Sequence, residues 1–140
     1  MREINKIIIH CSATREGQDY DVNTIRRWHV IDNGWSDIGY HYVIGLDGSI
    51  YKGRPDNVQG AHTKGHNKNS IGICYIGGCG RGMNPKDTRT EAQKESLEIL
   101  LQGLICGYDK LGFITTIHGH NEFSSKACPS FDVQEEYGHI

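Results

Sequence analysis

The hydrophobic positions of the chain fall into short runs with strand-like composition and longer stretches with helical spacing. Five runs rich in β-branched and aromatic residues predict strands. They are residues 6–9, 40–44, 49–52, 71–76 and 113–117. The second and third runs flank the turn Gly45-Leu46-Asp47-Gly48, which indicates a β-hairpin. The first run is typical of a buried strand and ends at His10.

Two stretches carry apolar residues at helical spacing behind a capping residue. Asp21 is suited to be an N-cap, and the apolar face behind it predicts a helix to about Ile31. Thr90 and Gln93 form a capping box before a leucine-rich stripe, which predicts a second helix to about Lys110.

These elements indicate an α/β protein. Strands and helices alternate, and one hairpin interrupts the alternation, so we expect a mixed central β-sheet flanked by helices on its faces. The 140 residues suit a single domain, 1–140, with a real core. Polar loops at 53–69 and 119–132 are candidates for function.

Charge and hydropathy exclude some classes of partner. Lysine and arginine number 15 against 17 acidic residues, which is unlike the basic surface of a nucleic-acid-binding protein. No apolar run approaches the roughly 20 residues of a membrane span, and no signal peptide is recognisable. We expect synthesis in the cytoplasm and a separate release step if the substrate lies outside the membrane.

The chain has five cysteines at irregular spacing, which does not suit a disulfide framework. Cys106 lies in an apolar helical stretch and is predicted to be a buried structural thiol.

Three residues at predicted strand ends and in the last polar loop could bind a metal. They are His10, His120 and Cys128. Two imidazoles and one thiolate suit Zn²⁺ and leave a fourth coordination position for water. The spacing is a weak signal, because it contains no CxxC pair and the chain has eight histidines. Taken alone, it favours ordinary loop histidines and a buried thiol.

Four segments in a fixed order carry a family resemblance over about residues 5–133. They are IIIHCSAT, GYHYVIGLDGSIYKGR, NSIGICYIGG and HNEFSSKACPSFD. Together they resemble the zinc-dependent N-acetylmuramoyl-L-alanine amidases of the phage zinc-lysozyme type, which are related to the peptidoglycan-recognition proteins. The resemblance implies hydrolysis of the amide between N-acetylmuramic acid and L-alanine, with intact peptidoglycan or soluble muropeptides as the substrate.

The resemblance also implies roles for individual residues. His10, His120 and Cys128 match the zinc ligands, with His120 favoured over His118 by counting back from the KACP segment. Tyr40 and Lys126 match the catalytic tyrosine and lysine. These two side chains could stabilise the oxyanion that develops during amide hydrolysis.

Further predictions concern the neighbours of these residues. Strand alternation predicts that Tyr40 and Tyr42 share one face and that His41 takes the other, so His41 is not predicted to be a ligand. His29 is expected to be an ordinary surface or packing residue. In the loop region, the candidates for substrate contacts are His62, Asn69 and Ser70.

One position departs from more distant zinc amidases. Some of these place a general-base glutamate where this chain has Cys74, which leaves the proton acceptor open.

Three alternatives remain at the level of sequence. One is a non-catalytic peptidoglycan-binding module, although relatives of that kind typically lack the cysteine ligand. Another is a cysteine hydrolase that uses Cys128 with His120. A third, regulation through a protein partner, is disfavoured because only nine residues precede His10.

Overall fold

The structure, a computed structural model, describes residues 2–140. Its strands are β1 (Lys6–Cys11), β2 (Thr14–Arg15), β3 (Tyr42–Ile44), β4 (Ile50–Lys52), β5 (Ser70–Tyr75), β6 (Gly78–Cys79) and β7 (Thr116–Gly119). Its α-helices are α1 (Val22–Arg27), α2 (Glu91–Lys110) and α3 (Val133–Tyr137). A π-helical turn (Trp28–Asp32) continues α1, and a 3₁₀ turn (His120–Glu122) follows β7.

The central sheet has five strands in the order β4-β3-β5-β1-β7. β1 pairs in parallel with β5 and β7, β3 pairs in parallel with β5, and β4 returns antiparallel to β3 as the predicted hairpin. The sheet is therefore mixed, and the predicted α/β class is confirmed. Because β1 lies between two parallel partners, its C-terminal end meets the C-terminal ends of β5 and β7 at one edge.

The two faces of the sheet are covered differently. Isoleucines of β1 and β5, among them Ile9 and Ile73, pack with Leu97 and Leu101 of α2 to form the larger core. On the opposite face a smaller cluster lies against Ile25 of α1. Because His10 follows Ile9 on β1, its side chain lies on the same face as this smaller cluster.

Helix α2 is fixed at its start by two devices. Thr90 and Gln93 form the predicted capping box, because each side chain accepts from the other residue's backbone N–H. The Gln93 side chain is fully buried, and its amide donates to the carbonyls of Ile44 (3.2 Å) and Ile76 (3.0 Å). The helix is thereby bonded to the C-terminal ends of β3 and β5.

Several local predictions were wrong. The last strand begins at Thr116 and not at Phe113, because the Phe113 N–H donates to the Tyr108 carbonyl and still belongs to the end of α2. Cys106 is exposed, because the buried face of α2 runs through Leu97, Leu101 and Tyr108. The short elements β2, β6 and α3 were not predicted. Of the helices within residues 2–140, none has the length and apolarity that a membrane span requires.

Candidate metal centre

Three side chains converge at the open edge of the sheet. His10 lies at the end of β1, His120 in the 3₁₀ turn after β7, and Cys128 in the following loop. One ligand atom of each lies within 4.8 Å of the others, and within residues 2–140 no other group of His, Cys, Asp or Glu is arranged to hold a metal. The convergence follows from topology, since β1 and β7 are adjacent and parallel.

His10 presents a defined nitrogen to this centre. Its Nδ1 lies 3.8 Å from the Cys128 sulfur, whereas its Nε2 faces the protein interior. Burial lowers the pKa of His10 well below its usual value, and the neighbouring imidazoles of His62 and His120 act in the same direction. The imidazole is therefore neutral at neutral pH, which is the form that binds metals.

Cys128 is held in place by backbone contacts. The Cys11 N–H donates to the Cys128 sulfur at 3.2 Å, and the Tyr75 hydroxyl donates to the Pro129 carbonyl at 2.6 Å. The adjacent Cys11 thiol and burial raise the pKa of Cys128 above its ordinary value. A cation at the centre would supply the charge that a buried thiolate needs. The donor set and its spacing fit zinc.

His118, the rival of His120, lies elsewhere. Its ring lies 2.7 Å from the Thr116 hydroxyl oxygen and 2.9 Å from a Glu122 carboxylate oxygen. His120 instead lies beside His10, with 4.6 Å between the ring centroids. Burial and the charge of Lys126 lower the pKa of His120, which favours its neutral form.

Tyr40 lies next to the metal centre, but the strand alternation predicted for it is absent. Its ring centroid is 5.1 Å from that of His10. Strand β3 begins only at Tyr42, and a bend at His41 places Tyr40 and Tyr42 in the clusters on opposite faces of the sheet. The prediction that Tyr40 and Tyr42 share a face was therefore wrong. Burial raises the pKa of Tyr40 well above its usual value, so its hydroxyl keeps its proton.

His41 has a structural environment. It is fully buried, its Nδ1 accepts from the Gly72 N–H at 3.0 Å, and its Nε2 donates to the Val58 carbonyl at 2.8 Å. Both nitrogens are thus used within the fold.

The centre opens into a cleft made of two adjoining cavities. A chamber of about 250 Å³ contains the three candidate ligands and Tyr40. A groove of about 490 Å³ continues from it past Phe123. Exposed Lys126 lines both, and Lys64 lines the groove, so the charged side chains that border the cleft within residues 2–140 are lysines. The cleft therefore favours an anionic ligand.

The predicted substrate contacts are placed differently from expectation. Ser70 is fully buried at the start of β5, opposite Lys6, and so lies at the other end of the strand from the metal centre. Asn69 donates its side-chain amide to the Glu3 carbonyl at 2.9 Å. Neither residue lines the cleft. His62 borders both cavities, but its Nδ1 lies 2.9 Å from His10 Nε2.

Two residues of the chamber were missed by the sequence reasoning. His29 lies 5.3 Å from Tyr40 and 4.6 Å from Trp35 between ring centroids, and its Nδ1 accepts from the Gly39 N–H at 2.8 Å. Trp35 borders both cavities. Their proximity depends on the turn between residues 32 and 35, in which the Trp35 N–H bonds to the His29 carbonyl. A histidine on a helix carries no sequence signal of such a contact.

Cys74 occupies a position of interest on β5. It is fully buried and lies opposite His10 in the strand register. The Cys74 thiol is close enough to the Tyr40 hydroxyl for each group to shift the pKa of the other. A side chain at position 74 therefore lies next to the candidate metal centre. This is the position at which some distant zinc amidases place a glutamate.

Comparison with known proteins gives consistent similarities. The family model described as N-acetylmuramoyl-L-alanine amidase matches residues 1–131. The endolysin of Escherichia phage T7 is 41% identical over 128 residues, which cover 91% of this chain and 82% of the endolysin.

Solved structures show the same fold. N-acetylmuramoyl-L-alanine amidase LysC from Clostridium intestinale URNW superimposes with a TM-score of 0.79 at 31% identity, over 96% of this chain and 83% of LysC. A structure of tracheal cytotoxin bound to the ectodomain complex of peptidoglycan recognition proteins LCa and LCx matches with a TM-score of 0.77 at 30% identity. That match covers 98% of this chain and 84% of the other.

Proposed function

We propose a zinc-dependent mechanism for this chain, which belongs to the N-acetylmuramoyl-L-alanine amidase family. The protein is an amidase that hydrolyses the amide bond between N-acetylmuramic acid and L-alanine in peptidoglycan. What is proposed is how the residues of the cleft carry out that reaction.

The observation that carries the proposal is the convergence of two imidazoles and one thiol within 4.8 Å at the base of the cleft. His10, through Nδ1, together with His120 and Cys128 would hold the ion. When bound, zinc supplies Lewis acidity, which makes water a nucleophile at neutral pH and polarises a carbonyl group.

Tyr40 and Lys126 act on the charge that develops on the carbonyl oxygen of the scissile amide. The Tyr40 hydroxyl keeps its proton because burial raises its pKa, so it can donate a hydrogen bond to that oxygen. Lys126 lies exposed at the rim of the chamber, where its ammonium group can reach a bound substrate and stabilise negative charge. Tyr40 comes from the segment just before β3, and Lys126 comes from the loop that also carries Cys128.

The cationic rim suits the substrate. Peptidoglycan stem peptides carry free carboxylates, and the lysines at the cleft would attract them. One similar structure is a complex with tracheal cytotoxin, which supports muropeptides as ligands of this cleft.

The cysteine-hydrolase alternative is disfavoured by the position of Cys128. A nucleophilic cysteine needs a lowered pKa, which a helix N-terminus directly behind it can provide, but Cys128 lies in the loop before α3, which begins only at Val133. Its sulfur instead lies 3.8 Å from His10 Nδ1, among the groups that could hold a metal.

Mass spectrometry of digested peptidoglycan tests the reaction. We expect free stem peptides that begin with L-alanine and uncut glycan strands. Activity should disappear with a chelator and return with added Zn²⁺. Release of new reducing sugars would indicate glycosidase chemistry, and binding without cleavage would indicate a binding module; either result overturns the proposal.

A further inference from the structure

His62, which borders the cleft, and Ser70, which does not, form a hydrogen-bond chain behind His10. The chain runs from His10 Nε2 to His62 Nδ1 (2.9 Å), from His62 Nε2 to Ser70 Oγ (3.3 Å), and from Ser70 Oγ to the His66 carbonyl (2.7 Å). The Thr63 hydroxyl lies beside its first link, 2.9 Å from His62 Nδ1 and 3.2 Å from His10 Nε2.

The direction of every hydrogen bond in this series follows from the last one, between Ser70 and the His66 carbonyl. A carbonyl oxygen only accepts, so the Ser70 hydroxyl donates its single proton to the His66 carbonyl. Ser70 Oγ must then accept from His62, so the proton of His62 lies on Nε2. Because a neutral imidazole carries one proton, His62 Nδ1 is an acceptor.

The tautomer of His10 follows from that of His62. Two nitrogen lone pairs 2.9 Å apart would repel, so a proton must lie between His10 Nε2 and His62 Nδ1, and of the two rings only His10 can supply it. With that proton on Nε2, the lone pair of the imidazole lies on Nδ1 and faces the Cys128 sulfur.

The neighbouring backbone leaves space for the His62 ring and holds it in place. A Cβ atom at Gly72 would lie 2.6 Å from the His62 ring, and one at Gly60 would lie 2.7 Å from it. The Asn67 side-chain oxygen accepts from the N–H groups of both His62 and Thr63 at 2.9 Å. The ring thus packs against a bare stretch of β5 and keeps one orientation.

We infer that His62 and Ser70 are positioning residues that fix the tautomer of His10, so that its Nδ1 is directed at the metal centre in the form that binds metal. The inference rests on the proposed zinc function and specifies which residues prepare the site. Partners of this kind behind a metal ligand typically change metal affinity about 10- to 100-fold when they are removed.

Nitrogen-15 NMR of the histidine side chains tests the tautomers directly. In both the zinc-loaded and the zinc-free protein we expect the proton of His62 and that of His10 on Nε2. A proton on His62 Nδ1, or on His10 Nδ1 in the zinc-free protein, overturns the inference. Because the zinc-free spectrum does not depend on metal binding, this result is separate from the fate of the proposed function.

Zinc affinity of variants, measured by competition with a chromogenic chelator, tests the consequence. His62→Leu keeps bulk but removes the acceptor, and we expect zinc binding weaker by about 10- to 100-fold. His62→Asn places a side-chain oxygen near the position of Nδ1 and should recover most of the affinity. A packing role alone would give the reverse order and would overturn the inference.

Ser70→Ala removes the last hydroxyl of the hydrogen-bond chain, a residue that has no contact with His10. We expect weaker zinc binding and a mixture of His62 tautomers in the spectrum. The matched control is Ser96→Ala, because the Ser96 hydroxyl also donates to a backbone carbonyl, that of Gly48 at 2.6 Å, but lies on α2. Equal zinc affinities of the two variants, with an unchanged His62 tautomer, would contradict the inference.

Discussion

At the scale of single residues, the centre combines groups whose charge states are set by burial. Burial lowers the pKa of His10, which favours the neutral imidazole, and raises the pKa of Tyr40, which further favours the protonated hydroxyl. Neutral imidazole is a metal ligand, and a protonated phenol is a hydrogen-bond donor. Burial thus favours the metal-binding form of His10 and the hydrogen-bond-donating form of Tyr40.

Of the three candidate ligands, Cys128 is the one whose deprotonated form depends most on a bound metal. Cys128→Ser replaces the sulfur with a hydroxyl, which is a poor zinc ligand, so we expect loss of zinc and of amidase activity. Metal analysis of the purified protein measures the first, and peptide release measures the second. Cys106→Ser is the control, because Cys106 is exposed on α2 and should keep both. Full zinc content in Cys128→Ser would contradict the ligand assignment.

Tyr40→Phe removes one hydrogen-bond donor and retains the ring. We expect turnover to fall by about 10²- to 10³-fold, with zinc content unchanged, because the donor acts on charge that develops during reaction. Steady-state kinetics on soluble muropeptides with parallel metal analysis checks this. Tyr20→Phe serves as the control, since the Tyr20 hydroxyl bonds to Gln18 at the surface. Unchanged turnover in Tyr40→Phe would remove Tyr40 from the mechanism.

At the scale of elements, the site depends on strand ends that are held in place by contacts from α2. The buried Gln93 amide donates to carbonyls that follow β5 and close β3. The Ile44 carbonyl also accepts from the Ile76 N–H at 3.0 Å, so the side chain adds a second bond there. The Ile76 carbonyl lies just beyond the last residue of β5 and is satisfied by the Gln93 amide.

Gln93→Leu removes the side-chain donor to the buried Ile76 carbonyl and one of the two donors to the Ile44 carbonyl. We expect the free energy of unfolding to fall by about 1–3 kcal/mol, as is usual for unsatisfied buried polar groups. Urea denaturation measures the change. Gln102→Leu, at an exposed position of the same helix, should shift the midpoint little. Equal shifts in the two variants would show that the Gln93 bonds do not stabilise the fold.

At the scale of the whole molecule, buried neutral histidines make the fold sensitive to acid. Burial lowers the pKa of His41 to about 4, while Val58, Arg2, Asp56 and Lys52 exert smaller effects of both signs. Above pH of about 6.5 neither the folded nor the unfolded state carries this proton. As the pH falls from 6.5 towards 4, only the unfolded chain binds it, so stability declines.

We therefore expect the unfolding free energy of the zinc-free protein to decrease between pH 6.5 and 4. Each such histidine contributes up to about 1.4 kcal/mol per pH unit. Urea midpoints at pH 7, 6 and 5 measure the slope. His41→Asn should be less stable at pH 7 but should have a shallower slope, and His139→Asn, at the exposed C-terminal region, should keep the slope of the parent. A slope unaffected by His41→Asn would contradict this account.

The elements that the sequence predicted well are those with a strong local signal. The capping box at Thr90 and Gln93 and the stripe behind it define α2 through its last residue, Lys110. The hairpin and the strand before His10 were also predicted, because β-branched runs and turn glycines act over a few residues. Two-residue strands such as β2 carry too few residues for any pattern.

The sequence by itself determined the fold class and, through its four ordered segments, the candidate chemistry of His10, His120, Cys128, Tyr40 and Lys126. Only the tertiary structure decided which neighbours serve them. Tyr40 reaches the centre through a bend before β3 that strand alternation does not anticipate. Ser70 and His62 lie behind His10 because β5 pairs beside β1 and Gly72 leaves space for a ring. His10 and His62 are 52 positions apart along the chain, and His62 and Ser70 are 8 positions apart across a loop, so no local pattern can specify these contacts.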